Sequence, residues 1–350
     1  MYHIFSSSLI QWNEQHNRRK MPWKGEKDPY KIWLSEIILQ QTRVEQGLAY
    51  YESFIAAYPT ILQLAAAKDE IVFKLWEGLG YYSRCRNLLT TARYIAFELG
   101  GVFPAQYEDL LQLKGVGPYT AAAIASFAYG LPHAVVDGNV YRVIARYFGI
   151  DLATDTTAGK KYFNELAQQL LFIKDPGKYN QAIMDFGATV CKPAAPACST
   201  CILNKSCTAL ANGKVNALPV KSKTIQRKKR YLYYFIFQHA GFTAISQRMQ
   251  KDIWHSLHEF YLMESTKLLS WNKAAVQKWL MEQFGITEFE LEKISEIQQQ
   301  QLTHQQIKGQ FIHIRLAKIP PNLKGLNWCS AAEIGKLAFP RFITAYLELL

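Results

Sequence analysis

The segment CKPAAPACSTCILNKSC, residues 191–207, places four cysteines in 17 residues with the spacing C-x6-C-x2-C-x5-C, and Pro193 and Pro196 fall in the first interval. Thiols this close can surround one centre, so the fold must bring Cys191, Cys198, Cys201 and Cys207 together. Four soft ligands suit either Zn²⁺ or an iron–sulfur cluster, and ligand chemistry alone does not separate the two. Cys85 and Cys329 stand apart and are expected in the core. Such clustering fits a metal site in a reducing compartment better than a disulfide framework.

From residue 1 to about 210 the pattern is helical. The stretch from Asp28, an expected N-cap, through Pro29 at the first helical position is expected to continue to the turn before Pro59. Further helices are predicted over 69–77, 86–99, 107–113, 118–130, 139–148, 158–172 and 178–190. The texture changes at NGKVNALPVKSKTIQRKKR, where six Lys or Arg fall within 221–230. This stretch reads as a linker, either lying along a phosphate backbone or serving as a solvated tether. Beyond it, 231–238, 242–249 and 309–317 read as strands and 272–284 as a helix. The expected fold is therefore an all-α domain over 1–213, carrying the loop 191–207, a linker over 214–230, and an α+β domain over 231–350.

The chain of 350 residues carries a formal charge of +12, which favours a polyanionic partner without proving one. No apolar run approaches the ~20 residues of a membrane span, and the N-terminus lacks signal-peptide features. The expectation is a cytoplasmic protein, nucleoid-associated in a bacterium, acting as a monomer.

Two segments bear on phosphate and charge. In LLQLKGVGPYTAAAIASFA, Gly115 and Gly117 form a turn between helices, where a backbone can approach a ligand and helix amides point outward. Such a turn can grip a DNA phosphate without reading a base. Many helix–turn–helix corners use this pattern for geometry only. In HAVVDGNVYRVIARYFG, Asp137 precedes a helix and suits an N-cap. A carboxylate accepting backbone amide bonds is expected to remain ionised at neutral pH.

Glu36, in WLSEIILQQTR, is flanked by Trp33, Leu34, Ile37 and Ile38. On one continuous helix Gln40 and Arg43 would share its face, at i+4 and i+7. By pattern alone a surface glutamate on an amphipathic helix is the better reading. A dry setting would instead raise its pKa and keep it an acid near pH 7. Cleaving an N-glycosidic bond needs such an acid for the leaving base, and an anion beside a sugar that becomes oxocarbenium-like.

Taken together, PWKGEKDPYKIWLSEIILQQTRV, GLGYYSRCRNL, LKGVGPYTAAAI, VVDGN, NQAIMDFGATVC and the cysteine loop resemble the endonuclease III superfamily of DNA glycosylases. Within it they resemble the MutY-type adenine glycosylases, in order and separation. The resemblance implies a helix-hairpin-helix glycosylase domain with a [4Fe–4S] cluster on Cys191, Cys198, Cys201 and Cys207. It implies hydrolysis of adenine from double-stranded DNA where adenine faces 8-oxoguanine or guanine. Glu36 would be the general acid and Asp137 the stabilising anion. Tyr119 would stand where bifunctional relatives carry a Schiff-base lysine, and a phenol cannot form an imine. Trp23 and Gln181 would contact the extruded adenine, while Gln41 and Tyr81 would enter the helix. Gln40, Arg43, Gly115, Gly117 and Asn139 would serve substrate or DNA binding.

The last 120 residues resemble the Nudix-related domain that these enzymes append for 8-oxoguanine recognition. The phosphohydrolase signature R-E-x-x-E-E is absent. Where the family commonly has Phe-Ser-His, this chain has Leu302, Thr303 and His304, keeping a hydroxyl and an imidazole but not the aromatic ring.

Overall fold

The computed structural model describes residues 2–222 and 226–349. Part of the linker expected over 214–230, namely residues 223–225, therefore lies outside the described residues. The chain divides into two compact units, Met1–Ala66 with Arg86–Lys223, and Ala67–Cys85 with Thr224–Leu350.

The helices before the cysteine loop are α1 (Tyr2–Gln15), α2 (Pro29–Leu39), α3 (Val44–Ala57), α4 (Ile61–Ala66), α5 (Asp69–Trp76), α6 (Ser83–Arg93), α7 (Tyr107–Gln112), α8 (Pro118–Tyr129), α9 (Gly138–Phe148), α10 (Thr157–Leu170) and α11 (Pro176–Thr189). A short α12 (Thr208–Ala211) follows the loop. The first unit is all-α among its described residues. One core gathers Phe5, Trp12, Phe163, Tyr179 and Phe186 from α1, α10 and α11 against α9. Each such side chain contributes roughly 1.5–3 kcal/mol by leaving water. Ala121, Ala122, Ala123 and Ala125 are buried on α8, and α8 packs on α2.

Caps explain several boundaries. Asp28 accepts from the Tyr30 amide ahead of Pro29, and Asp175 accepts from the Lys178 amide ahead of Pro176. The helix expected to run from Asp28 to before Pro59 is, however, two helices. The chain breaks at Gln40–Arg43, where Gln41 takes a positive φ of 58°. No Gly or Pro signals this break. The helix expected over 86–99 starts earlier, at Ser83, and ends in a π turn at Tyr94–Glu98.

In the second unit a mixed sheet is built on β1 (Lys228–His239). Around it lie β2 (Phe242–Gln247), β3 (His258–Glu259), β4 (Tyr261–Ser265), β5 (Phe289–Ile294), β6 (Gln298–Gln301), β7 (Gln305–Leu316) and β8 (Asn327–Cys329). The order is β3-β2-β1-β7-β5, with β4 on β1, β6 on β7 and β8 on β2. Among the described residues only β1 and β7 pair in parallel, Leu232 opposite Gly309. A Cβ at Gly309 would lie 2.2 Å from the Leu232 carbonyl oxygen, so that register needs glycine. Helix α13 (Lys273–Phe284), capped by Asn272, covers the sheet through Val276 and Leu280. Two short helices, α14 (Ala331–Ile334) and α15 (Arg341–Leu347), end the chain. Cys85 is fully buried as expected, but Cys329 is half-exposed on β8 and outside the core. No helix among the described residues is long and apolar enough to cross a membrane.

Candidate active site

Glu36 sits near the end of α2 with only 6% of its surface exposed, between Trp33, Leu34, Ile37 and Ile38, all buried. Burial pushes its carboxyl up to about 7, and the nearby Asp137 charge pushes the same way. A hydrogen bond from Tyr119 opposes them without reversing the shift. Tyr119 opens α8, is half-buried, and is held well above the usual phenol range by that burial and by both carboxylates. Its hydroxyl also lies 3.7 Å from Met184 Sδ.

Asp137 caps α9. One oxygen accepts from the amides of Asn139 and Val140 at 2.8 and 2.7 Å, and the other accepts from Asn139 Nδ2 at 2.7 Å. The amide bonds expected from the sequence are formed and favour the anion, while burial is the larger effect and moves the carboxyl upward, against the amides, Asn139 and the Arg142 charge. Glu36, buried, and Asp137, half-buried, thus feel each other's charge while differing in partners: a single phenol for one, three N–H donors for the other.

Glu36 also lines a cavity of about 300 Å³ with Trp23, Lys24, Phe127, Asp175 and Gln181. Trp23 is buried and meets Tyr51 edge-on at 5.2 Å. Gln181 comes from α11, as does the buried Asn180. The Asn180 side chain accepts from the Val135 amide and donates to the His133 carbonyl, tying down the strand of chain that leads to Asp137.

The polar stripe expected along the Glu36 helix is not formed, because the helix ends first. Gln40 is the C-cap of α2 and donates to Thr120 Oγ1 at 3.3 Å. Arg43 is the exposed N-cap of α3. Gln41, between them, is exposed.

Gly115 has φ +81°, and a Cβ there would come within 2.8 Å of Asn87 Cβ. The Lys114 carbonyl accepts from Thr91 Oγ1 at 2.7 Å, seating the hairpin on α6. Gly117 is the N-cap of α8 with no side-chain cap, and space opens around it.

In the second unit Tyr81 also adopts positive φ, 47°, with 42% of its surface exposed. Its hydroxyl lies 2.6 Å from Thr303 Oγ1, at the exposed tip of the β6–β7 hairpin, and the Arg84 guanidinium stands 5.5 Å from its ring. His304 is exposed, and its carbonyl accepts from the Lys228 amide at 3.0 Å.

Cys191, Cys198, Cys201 and Cys207 line one small cavity of about 30 Å³. Among the described residues no group of three or more His, Cys, Asp or Glu is arranged to hold a metal ion.

Sequence reasoning missed two buried arginines that link these parts. Arg142 donates to Asn139 Oδ1 at 2.7 Å and to the Cys191 carbonyl at 2.7 Å. Arg146 donates to the carbonyls of Lys192 and Pro193 and stands 3.5 Å from Cys191 Sγ. Their i, i+4 spacing on α9 gave no signal of this, since two charges on one helix face usually mark solvent.

A family model described as HhH-GPD superfamily base excision DNA repair protein matches residues 34–177, and a NUDIX domain model matches residues 232–349. The adenine DNA glycosylase of Buchnera aphidicola subsp. Baizongia pistaciae is 34% identical over 275 residues, covering 77% of this chain and 76% of that protein. The adenine DNA glycosylase of Mus musculus is 41% identical over 239 residues, covering 62% of this chain and 46% of that protein. Among solved structures, a thermostable thymine-DNA glycosylase aligns with TM-score 0.56 at 31% identity, over 60% of this chain and 97% of its own. A non-covalent endonuclease III–DNA complex aligns with TM-score 0.52 at 18% identity, over 61% and 98%, a likeness of fold.

Proposed function

Because this chain belongs to the HhH-GPD superfamily of base excision DNA repair proteins, and within it to the adenine DNA glycosylase family, we propose that it hydrolyses the N-glycosidic bond of adenine in double-stranded DNA, where 8-oxoguanine or guanine lies opposite. One observation carries the reading. Two carboxyl groups, Glu36 buried and Asp137 half-buried, share one electrostatic environment through Tyr119 but have unlike partners.

The chemistry follows from that contrast. A carboxyl raised to about 7 retains its proton near neutrality and can donate it to N7 of the extruded adenine. The base then leaves neutral, and positive charge develops at C1′. Asp137, as an anion held by Asn139, Val140 and the Arg142 charge, steadies that cation until water adds. Tyr119 donates to Glu36 and orients it. It offers no amine for an imine, so strand cleavage is not part of the reaction.

Trp23 and Gln181 provide the walls for the base, the amide being able both to donate and to accept. The Gly115–Gly117 hairpin offers amides to a phosphate, and Gln40, Arg43 and Asn139 assist binding around the site. Gln41 and Tyr81 enter the duplex. Both are exposed non-glycine residues at positive φ, a strain of roughly 1–3 kcal/mol that persists mainly where function requires it. Thr303 and His304 read the opposite base. The glycosylase domain spans 1–213, the linker 214–230 and the lesion-reading domain 231–350, with the last three linker residues, 228–230, already paired in strand β1. The protein acts as a monomer on cytoplasmic, nucleoid DNA.

The four cysteines would hold the [4Fe–4S] cluster that the family resemblance implies. They share one cavity, and a cluster would take one cysteine sulfur on each of its four irons. When bound, it would cross-link the loop 191–207, a structural contribution.

The test is release of adenine from duplexes with 8-oxoguanine, G, C or T opposite, read by alkaline cleavage of abasic sites. Release opposite only the first two, lost in Glu36→Gln, is expected. A borohydride-trapped protein–DNA adduct, or base release by Glu36→Gln, would overturn the reading. Metal analysis finding iron, in brown protein, checks the cluster.

A further inference from the structure

The segment from His16 to Asp28 forms one wall of the cavity beside Glu36, yet it has no regular structure beyond a turn at 22–25. Trp23 alone is buried among its residues. Such a segment needs external ties to stand at a fixed distance from the opposite wall. One tie is a single carboxylate. Asp185, on α11, has a fully buried side chain. It accepts from Asn17 Nδ2 at 2.8 Å, Arg19 Nη1 at 3.0 Å and Lys24 Nζ at 3.1 Å. Lys24 Nζ also donates to the Arg19 carbonyl at 3.2 Å, drawing the segment into a loop around the carboxylate.

The far end is fastened separately. Lys27 Nζ donates to the Phe127 carbonyl at 2.8 Å, and Glu26 accepts from the amides of Lys27 and Asp28. Trp23 therefore hangs between two anchors, one of which is ionic. Asp185 follows Gln181 by four residues on α11, so the two share a helix face. Lys24, Trp23 and Gln181 all line the cavity, whereas Asp185 does not.

From this we propose that Asp185 is a positioning residue that sets the gap between Trp23 and Gln181, and with it the fit of the extruded base, without touching that base. The inference rests on the reading of this cavity as the base pocket. Neutralising Asp185 leaves Arg19 and Lys24 beside one another with no counter-charge. The loop then relaxes outward and the two pocket walls separate.

The experiment uses Asp185→Asn, Asp185→Glu and Trp23→Phe in the full chain, each first checked for thermal melting. Single-turnover release is measured for adenine and for unsubstituted purine opposite 8-oxoguanine, alongside affinity for a duplex carrying an abasic site, which has no base to seat. In Asp185→Asn adenine release is expected to fall about tenfold or more, as small misplacement of a reactant does. The adenine-to-purine ratio should shift about fivefold, the scale of discrimination by pocket shape. Abasic-site affinity should barely change, and Asp185→Glu should recover part of the ratio. Equal losses for both bases, or a parallel loss of abasic-site binding, would reduce Asp185 to a stabilising residue and overturn the proposal. If Trp23→Phe shifts the ratio and Asp185→Asn does not, the positioning role falls while the pocket reading stands. If wild-type protein releases base but Trp23→Phe leaves the ratio untouched, both fall.

Discussion

The surroundings of Glu36 and those of Thr303 are opposites. Glu36 is packed among apolar side chains, and the polar groups beside it are partnered within the protein: Tyr119 on Glu36, Asn139 and two amides on Asp137. Thr303 and His304 stand in solvent at a hairpin tip, and the nearest polar side-chain contact of Thr303 is Tyr81, itself exposed. Removing water makes a carboxyl group an acid at neutral pH. Presenting groups to water leaves them free to exchange it for a partner. Substitutions in the first region should therefore act on rate and pH dependence, and those in the second on discrimination, with smaller effects.

The largest effect tests the dry region directly. Glu36→Gln keeps the shape and removes the proton, so single-turnover adenine release should fall by ~10²–10⁴-fold. In the wild type the rate should decline tenfold per pH unit above about 7, where the Glu36 carboxyl ionises. It should also decline on the acid side as Asp137 takes up a proton, above the ordinary aspartate range because burial raises that carboxyl. A rate profile from pH 4.5 to 9 checks both limbs, and a rate that keeps rising through pH 8 would remove Glu36 from the role of acid.

The same burial has a stability consequence. Glu36 shifts from an ordinary 4.5 when unfolded to about 7 when folded. Between these values the folded state binds more protons than the unfolded one, so stability falls as pH rises through that window. The full penalty, about 3 kcal/mol at 1.36 kcal/mol per pKa unit, is present above pH 7. Glu36→Gln is free of it. The variant should melt higher than wild type at pH 8 and nearly equal to it at pH 5, in thermal denaturation at both pH values. Equal melting at pH 8 would show that water reaches the carboxylate and would erase the contrast between the two regions.

How legible each region was follows from the same physics. The glutamate among Trp, Leu and Ile was visible because a carboxylate in an apolar run is costly and therefore informative. The caps Asp28 and Asp137 and the turn glycine Gly115 were visible because few residues serve those positions, whereas the cap Asp175 emerged only in the structure. The break after α2 was not, since Gln40, Gln41, Thr42 and Arg43 contain no breaker, and Gln41 holds a conformation that tertiary packing alone can maintain. Strands β5 and β6 were missed as well. β5, FELEKI, mixes charge into a half-exposed edge, and β6 is four glutamines without apolar alternation. The wide strands β1 and β7 announced themselves because they are buried and apolar. Residues that act through others, such as Arg142, Arg146 and Asp185, carry no pattern of their own, because their meaning lies in carbonyls, cations and sulfurs far off in the chain.

Between the two extremes lies the hairpin at Gly115, which is backbone-built and tests geometry rather than charge. Gly115→Ala must hold φ near +81° and push against Asn87, costing about 1–2 kcal/mol in the left-handed region. Thermal melting should register that loss. Affinity for duplex DNA should weaken roughly tenfold for every opposite base alike, since a phosphate contact carries no base information. Filter binding against several duplexes distinguishes this from a sequence-dependent loss, which would assign the hairpin to recognition instead.

The smallest effect belongs to Thr303. Thr303→Val keeps the shape and deletes the hydroxyl that lies 2.6 Å from the Tyr81 hydroxyl. A neutral hydrogen bond contributes about 0.5–1.5 kcal/mol, so the proposed preference for 8-oxoguanine over guanine opposite adenine should drop by roughly two- to tenfold. Thr303→Ser, which retains the oxygen, should keep most of it. The readout is the ratio of single-turnover rates on the two duplexes, followed across pH. In the valine variant the ratio should fall without moving either limb of the pH profile, because the limbs belong to Glu36 and Asp137. A shifted limb would mean that the exposed hairpin and the dry pocket are coupled, and that the division of labour between them is less sharp than their surroundings indicate.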